Sequence, residues 1–280
     1  MIRAASAHQG IRASLHHLRR SPVFRSPWFD AAQFLALVAL LVWFMSWSTA
    51  RLGYVWHWYR VPRFLFTKAE GRLIAGPLLQ GLLLTLKISG LSLVFSMALG
   101  LATALLRLSE SVTGRILSRG YLEIIRNTPL LVQLFVVYFI LGPILGMGNF
   151  VAAVLALTLF EGAYSSEIFR AGIVSIHKGQ WEAAHSLGLS GLDTYRHVIL
   201  PQAVRRILPP LASQMITLVK DSALVSMIAL ADLTQAARII IAQTFMSFEI
   251  WFATAGLYLL VTVSLSLAIR YIEKRFRIYT

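Results

Sequence analysis

Residues 127–160 read NTPLLVQLFVVYFILGPILGMGNFVAAVLALTLF, thirty-four positions without one charged side chain. A helix rises about 1.5 Å per residue and needs about 20 mostly apolar residues to cross a hydrocarbon layer roughly 30 Å thick. Thirty-four is too many for one ordinary crossing. Gly142-Pro143 and Gly146-Met147-Gly148-Asn149 interrupt the run. Glycine and proline at that density mark a turn, so the stretch predicts two spanning helices joined tightly.

The rest of the chain repeats the pattern. Ala31 to Ala50 carries no charge, and neither does Ile88 to Leu106, a run that starts nearer Leu82 if Lys87 is admitted. Leu211 to Leu230 is broken by Lys220-Asp221, and Ile250 to Ile269 closes the set. These runs predict an all-α integral membrane protein of about six transmembrane helices. Composition agrees: 57% of the 280 residues are apolar, 14% are charged, and the mean hydropathy is +0.69. A soluble domain is about a quarter charged. No cysteine is present, which removes disulfides, thiol nucleophiles and Cys-ligated metals.

The net charge of +14 comes from 26 Lys and Arg against 12 Asp and Glu. Eighteen of the positives fall in the N-terminal tail, the loops after the second and fourth spans, and the C-terminal tail. Six fall on the other side: Arg51, Arg60, Arg63, Lys68, Arg72 and Arg238. The positive-inside rule then places both termini in the cytoplasm. The basic excess reads as topology, not as a nucleic-acid surface. Tyr54, Trp56, Trp58 and Tyr59 read as an interfacial aromatic belt beside the five positives of 51–72. The first span reads as a retained helix, not a signal peptide, because its tail and apolar run are long and Arg51 follows at once.

Residues 175–210 form a long cytoplasmic loop with helical signals. Trp181-Glu182-Ala183-Ala184-His185-Ser186-Leu187 favours a helix that Gly188 stops. Ser190, with Asp193 three positions on, resembles a capping box. Pro201 is expected to end the second helix near Leu200. Short apolar helices shown to water need a partner surface.

Glu182-Ala183-Ala184, Gly188, Val198 and Leu200-Pro201 at these spacings resemble the EAA signature of ABC-importer permeases; Val198 stands where the family has isoleucine. Arg126-Asn127-Thr128-Pro129-Leu130-Leu131-Val132-Gln133, the stretch from Phe160 to Gly172, Leu200-Pro201-Gln202-Ala203 and Lys220-Asp221-Ser222-Ala223-Leu224 are similar to the polar amino-acid (histidine/glutamine/arginine/opine) branch. The resemblance spans about residues 75–275. It implies a type I importer permease with a five-helix core plus one N-terminal helix. The implied layout is a basic cytoplasmic tail at 1–30, an additional membrane helix at 31–50, an external linker at 51–74, and the importer domain at 75–275 with its coupling loop at 175–205. The implied partners are a pair of ABC ATPase subunits, a second permease subunit, identical or homologous, and an extracytoplasmic amino-acid-binding protein, all at a bacterial inner membrane. ATP and Mg belong to the ATPase. This chain has no G-x-x-x-x-G-K-[ST] loop, and the implied cofactor list for it is empty.

The resemblance makes Glu182, Ala183, Ala184, Gly188, Leu200 and Pro201 the ATPase-coupling residues; the blander reading has Glu182 capping its own helix. For the substrate pathway the candidates are Glu161, Tyr164, Ser165, Lys220, Asp221, Ser222, Arg126 and Thr128. Charges inside a span are costly, so they pair or line a path. Glu161, Tyr164 and Ser165 share a helix face. Glu161 either meets a substrate amine or pairs with Lys220 or Lys87. Lys220 and Asp221 point about 100° apart and either bracket an amino acid's charged ends or hold helices together. Glu167 and Arg170, spaced i,i+3, read as a simple pair. Lys87 reads as snorkelling to the headgroups. Thr128 and Pro129 read as N-cap and first helical residue of the third span. No metal site is expected: the histidines all lie outside the spans, and H-E-x-x-H and G-x-S-x-G are missing. Two further function classes fit the bare spans: a stand-alone ion-coupled amino-acid transporter using Glu161, Lys220 and Asp221, and a membrane scaffold whose hairpin recruits a partner.

Overall fold

The computed structural model describes residues 27–51, 53–69 and 71–276. Arg3, Arg12, Arg19, Arg20 and Arg25 of the expected tail, and Arg277, lie outside the described residues. The chain divides into two units, 1–56 and 57–280. The first contains α1 (Pro27–Arg51), apolar over Phe29–Ser48. A helix apolar on every side is one that lipid surrounds.

The second unit opens with a 3-10 turn at Trp58–Arg60 and a helical turn at Pro62–Leu65. A two-stranded antiparallel hairpin follows, β1 (Phe66–Ala69) and β2 (Arg72–Ala75), with Gly71 at φ 75° in its turn. That hairpin is an addition to the expected all-helical pattern. Then come α2 (Pro77–Leu108), α3 (Val112–Arg126) and α4 (Leu130–Phe135), which continues through a π turn at Val136–Leu141 to Leu145. Next are α5 (Asn149–Val174), α6 (Lys178–Ser186), α7 (Leu200–Asp221), α8 (Leu233–Thr244) and α9 (Ser247–Phe276). Among the described residues five helices are long and apolar enough to span a membrane, and six if the 112–145 pair, bent by 106°, counts as one.

The run 127–160 does turn where glycine allows it. Gly146 adopts φ 65° and Gly148 caps α5. Gly142-Pro143 does not break the chain, contrary to the sequence reading, because the helix continues to Leu145. Pro201 departs from expectation in the same way: α7 runs through it to Asp221. Both prolines sit two residues after a π turn, Val136–Leu141 and Thr194–Ile199. The wider turn makes room for a ring that would otherwise strike the preceding carbonyl. Thr128 is a further correction. It is not an N-cap: its Oγ1 donates to the Ile124 carbonyl at 2.8 Å, and Asn127 Nδ2 donates to that of Glu123 at 2.7 Å. Both finish α3, leaving Pro129 at the N-cap position of α4.

α2 and α5 form the central helix pair. α2 buries Ser89, Ser92, Ser96, Gly100 and Thr103, a small residue every three or four positions, against the alanine-rich face of α5. Small side chains let backbones approach where lipid supplies no hydrophobic drive. A Cβ on Gly100 would sit 2.8 Å from Ser165 Cβ and 3.0 Å from the Gly162 carbonyl oxygen. Gly100→Leu is therefore expected to destabilise the protein by about 1–3 kcal/mol or more, read as a lower melting temperature in detergent; an unchanged value contradicts this packing.

α8 is capped by Asp232, which is buried and accepts from the Gln235 and Thr234 backbone N–H groups at 2.9 and 3.2 Å. Burial pushes its carboxyl up from 3.8 to about 6, against those hydrogen bonds, which lower it. A carboxyl raised on folding contributes stability below about pH 4 that is lost as pH rises through about 6. The melting temperature of the native protein is expected to fall across that window relative to Asp232→Asn; parallel curves for the two refute this.

Candidate functional site

Two sets of residues stand out, one inside the helix bundle and one on the connection between α5 and α7.

Inside the bundle, Glu161 lies mid-way along α5 and is 1% exposed. Gln214 of α7 donates to its Oε2 at 2.6 Å, while Oε1 has no hydrogen-bond partner. The suggested pair with Lys220 or Lys87 does not form. Lys87 sits over the Phe150 ring at 5.2 Å, and Lys220 is exposed and in no ion pair among the described residues. A buried carboxylate with one oxygen unsatisfied is costly and has capacity for one more donor. One turn below, Thr158 Oγ1 is also buried and unpartnered.

Of the other candidates, Asp221, two turns beyond Gln214 on α7, lies near enough for its charge to act on Glu161; the rest are engaged elsewhere. Ser165 is buried where α5 meets Gly100 of α2. Ser222 turns back to the Val219 carbonyl at 2.8 Å, and Asp221, half-buried, closes α7. Tyr164 lies between the Phe160 ring at 5.0 Å and the Arg126 guanidinium at 5.8 Å. Arg126 in turn reaches Glu167 at 3.2 Å. Glu167 and Arg170 pair at 3.1 Å as their spacing implied, but Glu167 also takes Arg107 at 2.5 Å. One carboxylate thus ties the ends of α2 and α3 to α5. Sequence reading missed Gln214 and the part played by Arg107. An amide in an otherwise apolar stretch was the signal for the first; nothing local signalled the second.

On the connection, His177 caps α6 by accepting from the Gly179 N–H at 3.0 Å. Gly188, at φ 77°, ends it in the left-handed region, and the Leu189 N–H reaches back to the Ala184 carbonyl at 3.1 Å. Ser190 caps the next turn and also meets Asp193 Oδ2 at 2.6 Å, as the capping pattern foretold. Trp181 and Tyr195 meet edge to face at 5.6 Å, closing the hairpin. Its inner side packs on Ile173, Ile199 and Ile207. Arg206 pins the base through the Ser175 carbonyl at 2.6 Å.

The two alanines divide the work. Ala184 is buried against its own chain, whereas Ala183 faces outward beside Glu182 and the 82%-exposed Leu187. Glu182 does not cap its helix; it sits mid-helix and pairs loosely with Lys178 at 3.4 Å. Leu200 and Pro201 are exposed where α7 begins. The hairpin is thus a rigid knob with an apolar tip, fixed at both ends to spanning helices.

Residues 96–278 match the model of the family described as binding-protein-dependent transport system inner membrane component. The chain belongs to this family. The permease is 41% identical over 204 residues to the glutamine transport system permease protein GlnP of Escherichia coli (strain K12), covering 72% of this chain and 93% of that protein. It is 38% identical to the probable glutamine ABC transporter permease protein GlnM of Bacillus subtilis (strain 168), over 70% and 92% of the two chains. A chain in the crystal structure of an amino acid ABC transporter with histidines superposes with TM-score 0.67 at 39% identity, covering 71% of this permease and 94% of that chain. The expected six-span fold and ABC-importer permease role hold. The stand-alone ion-coupled reading is not favoured, since the family is described as a binding-protein-dependent transport component.

Proposed function

We propose that this permease imports polar amino acids, glutamine foremost, as one of two permease subunits in an assembly with an ATPase pair and an extracytoplasmic binding protein. ATP and Mg are bound by the ATPase alone. Both termini face the cytoplasm, a reading that rests on the uneven placement of Lys and Arg. The observation that carries the proposal is the outward-facing hairpin rooted in α5 and α7. Ala183, Glu182 and Leu187 offer the ATPase a small-residue face, a charge and an apolar tip, and Gly188 supplies the sharp turn. Motion imposed on that knob passes along α5 and α7, the two helices that hold Glu161 and Gln214 together. The path is read as the polar seam around Glu161, whose free oxygen suits a substrate ammonium; Tyr164 and Arg126 flank its cytoplasmic end. Asp221, whose charge reaches Glu161, extends that seam along α7; Lys220, Ser165, Ser222 and Thr128 are weaker pathway candidates, exposed or engaged elsewhere.

Competition measures the substrate class. In vesicles holding the whole assembly, unlabelled polar amino acids are expected to compete with labelled glutamine, and apolar ones are not. Equal competition by leucine and glutamine would overturn the substrate assignment while leaving the ATPase coupling intact.

A further inference from the structure

Residues 57–75 precede the family match and are used by nothing described above. They carry Arg60, Arg63, Lys68 and Arg72 against one acid, Glu70. These cations fall on the face that the overall charge asymmetry leaves poor in positives, where the positive-inside rule disfavours them. The same short segment exposes large apolar side chains: Tyr59 is 79% exposed, Leu73 65% and Phe66 54%.

The hairpin register sorts these groups. Phe66 and Lys68 share one face with Leu73, while Arg72 and Ile74 share the other. Each face therefore pairs a cation with uncovered apolar surface. Cations set beside uncovered apolar side chains match an interface where anionic headgroups lie against acyl chains. A free two-stranded hairpin is at best marginally stable in water, so this one calls for a surface.

Its placement supplies that surface. The hairpin is fastened to the first turn of α2. The Gly76 N–H donates to the Leu65 carbonyl at 2.7 Å, and Gln80 Nε2 donates to that of Ala75 at 2.7 Å. A Cβ on Gly76 would lie 2.5 Å from the Phe64 carbonyl oxygen, so the junction admits only glycine. α2 has 32 residues, about 48 Å of helix against a hydrocarbon core of about 30 Å. Its ends reach headgroup depth, and the hairpin with them.

We propose that residues 57–75 form a membrane-surface collar that binds anionic phospholipid headgroups through Arg60, Arg63, Lys68 and Arg72, with Tyr59, Phe66, Leu73 and Ile74 seated among the acyl-chain ends. The proposal rests on the membrane-spanning reading of α2 but not on the ATPase coupling or the substrate.

The chain has no cysteine, so Thr67→Cys gives a single attachment point for an environment-sensitive fluorophore. The labelled permease, assembled with its ATPase, is placed in phosphatidylcholine vesicles with a rising share of phosphatidylglycerol. The emission is expected to shift to the blue as the anionic share rises, and high salt is expected to reverse the shift. Neutralising the four cations together to Gln removes the dependence, each contributing about fivefold. ATPase retention by that variant separates lost lipid binding from misfolding, and the salt arm needs no variant. An emission indifferent to phosphatidylglycerol overturns the proposal. So does a blue shift that appears only when the binding protein is added, which would make the collar a protein-docking surface. Because uptake is measured separately, failure here leaves the importer reading standing.

Discussion

Ala183→Trp is expected to abolish ATP-driven uptake while leaving the permease as stable as the native protein. Ala183 is exposed on the outer side of the hairpin, so the added ring projects toward the face proposed to meet the ATPase. Forcing such bulk into a packed contact costs about 1–3 kcal/mol, or roughly five- to 150-fold in ATPase affinity. Ala184→Trp, one residue on, is expected to do the opposite. Ala184 is 2% exposed, so the ring strikes the hairpin's own packing and lowers the melting temperature. Co-purification of the ATPase and thermal unfolding of each variant separate the two effects. If the adjacent alanines behave alike, the division of labour drawn from the hairpin is wrong.

Glu161→Gln is expected to cut uptake by roughly 10- to 150-fold, the loss of a charged hydrogen bond worth about 1.5–3 kcal/mol, with ATPase binding unchanged. The substitution keeps the shape and an oxygen able to accept from Gln214 Nε2. It removes the charge at the free oxygen, which is the feature assigned to substrate. Asp221→Asn is expected to act more weakly, because Asp221 closes α7 and is only half-buried. Normal uptake by Glu161→Gln refutes the pathway assignment; a drop in uptake matched by a drop in melting temperature makes Glu161 structural.

The spans were legible because lipid imposes one simple demand, a long uncharged run; 127–160 supplies much of α5 and the apolar part of the bent pair 112–145, whose first half the sequence reading had left in a loop. The turn at Gly146 was legible because a left-handed residue asks for glycine. The hairpin was legible as a pattern: Gly188 and Ser190 act as their positions implied. Proline misled twice, at 143 and 201, because a π turn two residues earlier relieves the clash that would end the helix. Such a turn leaves no mark in the local sequence. Thr128 misled because the residues that start one helix also serve to finish another, and the choice depends on the 106° bend. At the site, contacts within one helix were visible and contacts between helices were not. Glu167 to Arg170 spans three residues, whereas Glu167 to Arg107 spans 60 and Glu161 to Gln214 spans 53. Exposure was equally invisible, and it is what distinguishes Ala183 from Ala184.

In the proposed mechanism, force passes from an ATPase through the α6 hairpin into the bundle. Uptake of labelled glutamine into vesicles that hold the permease, ATPase and binding protein measures this, with internal ATP as the sole energy source. Native protein is expected to accumulate glutamine only with ATP, and a chain lacking residues 178–190 is expected to accumulate none. Undiminished uptake by the shortened chain, or uptake by the permease alone on an ion gradient, would contradict it.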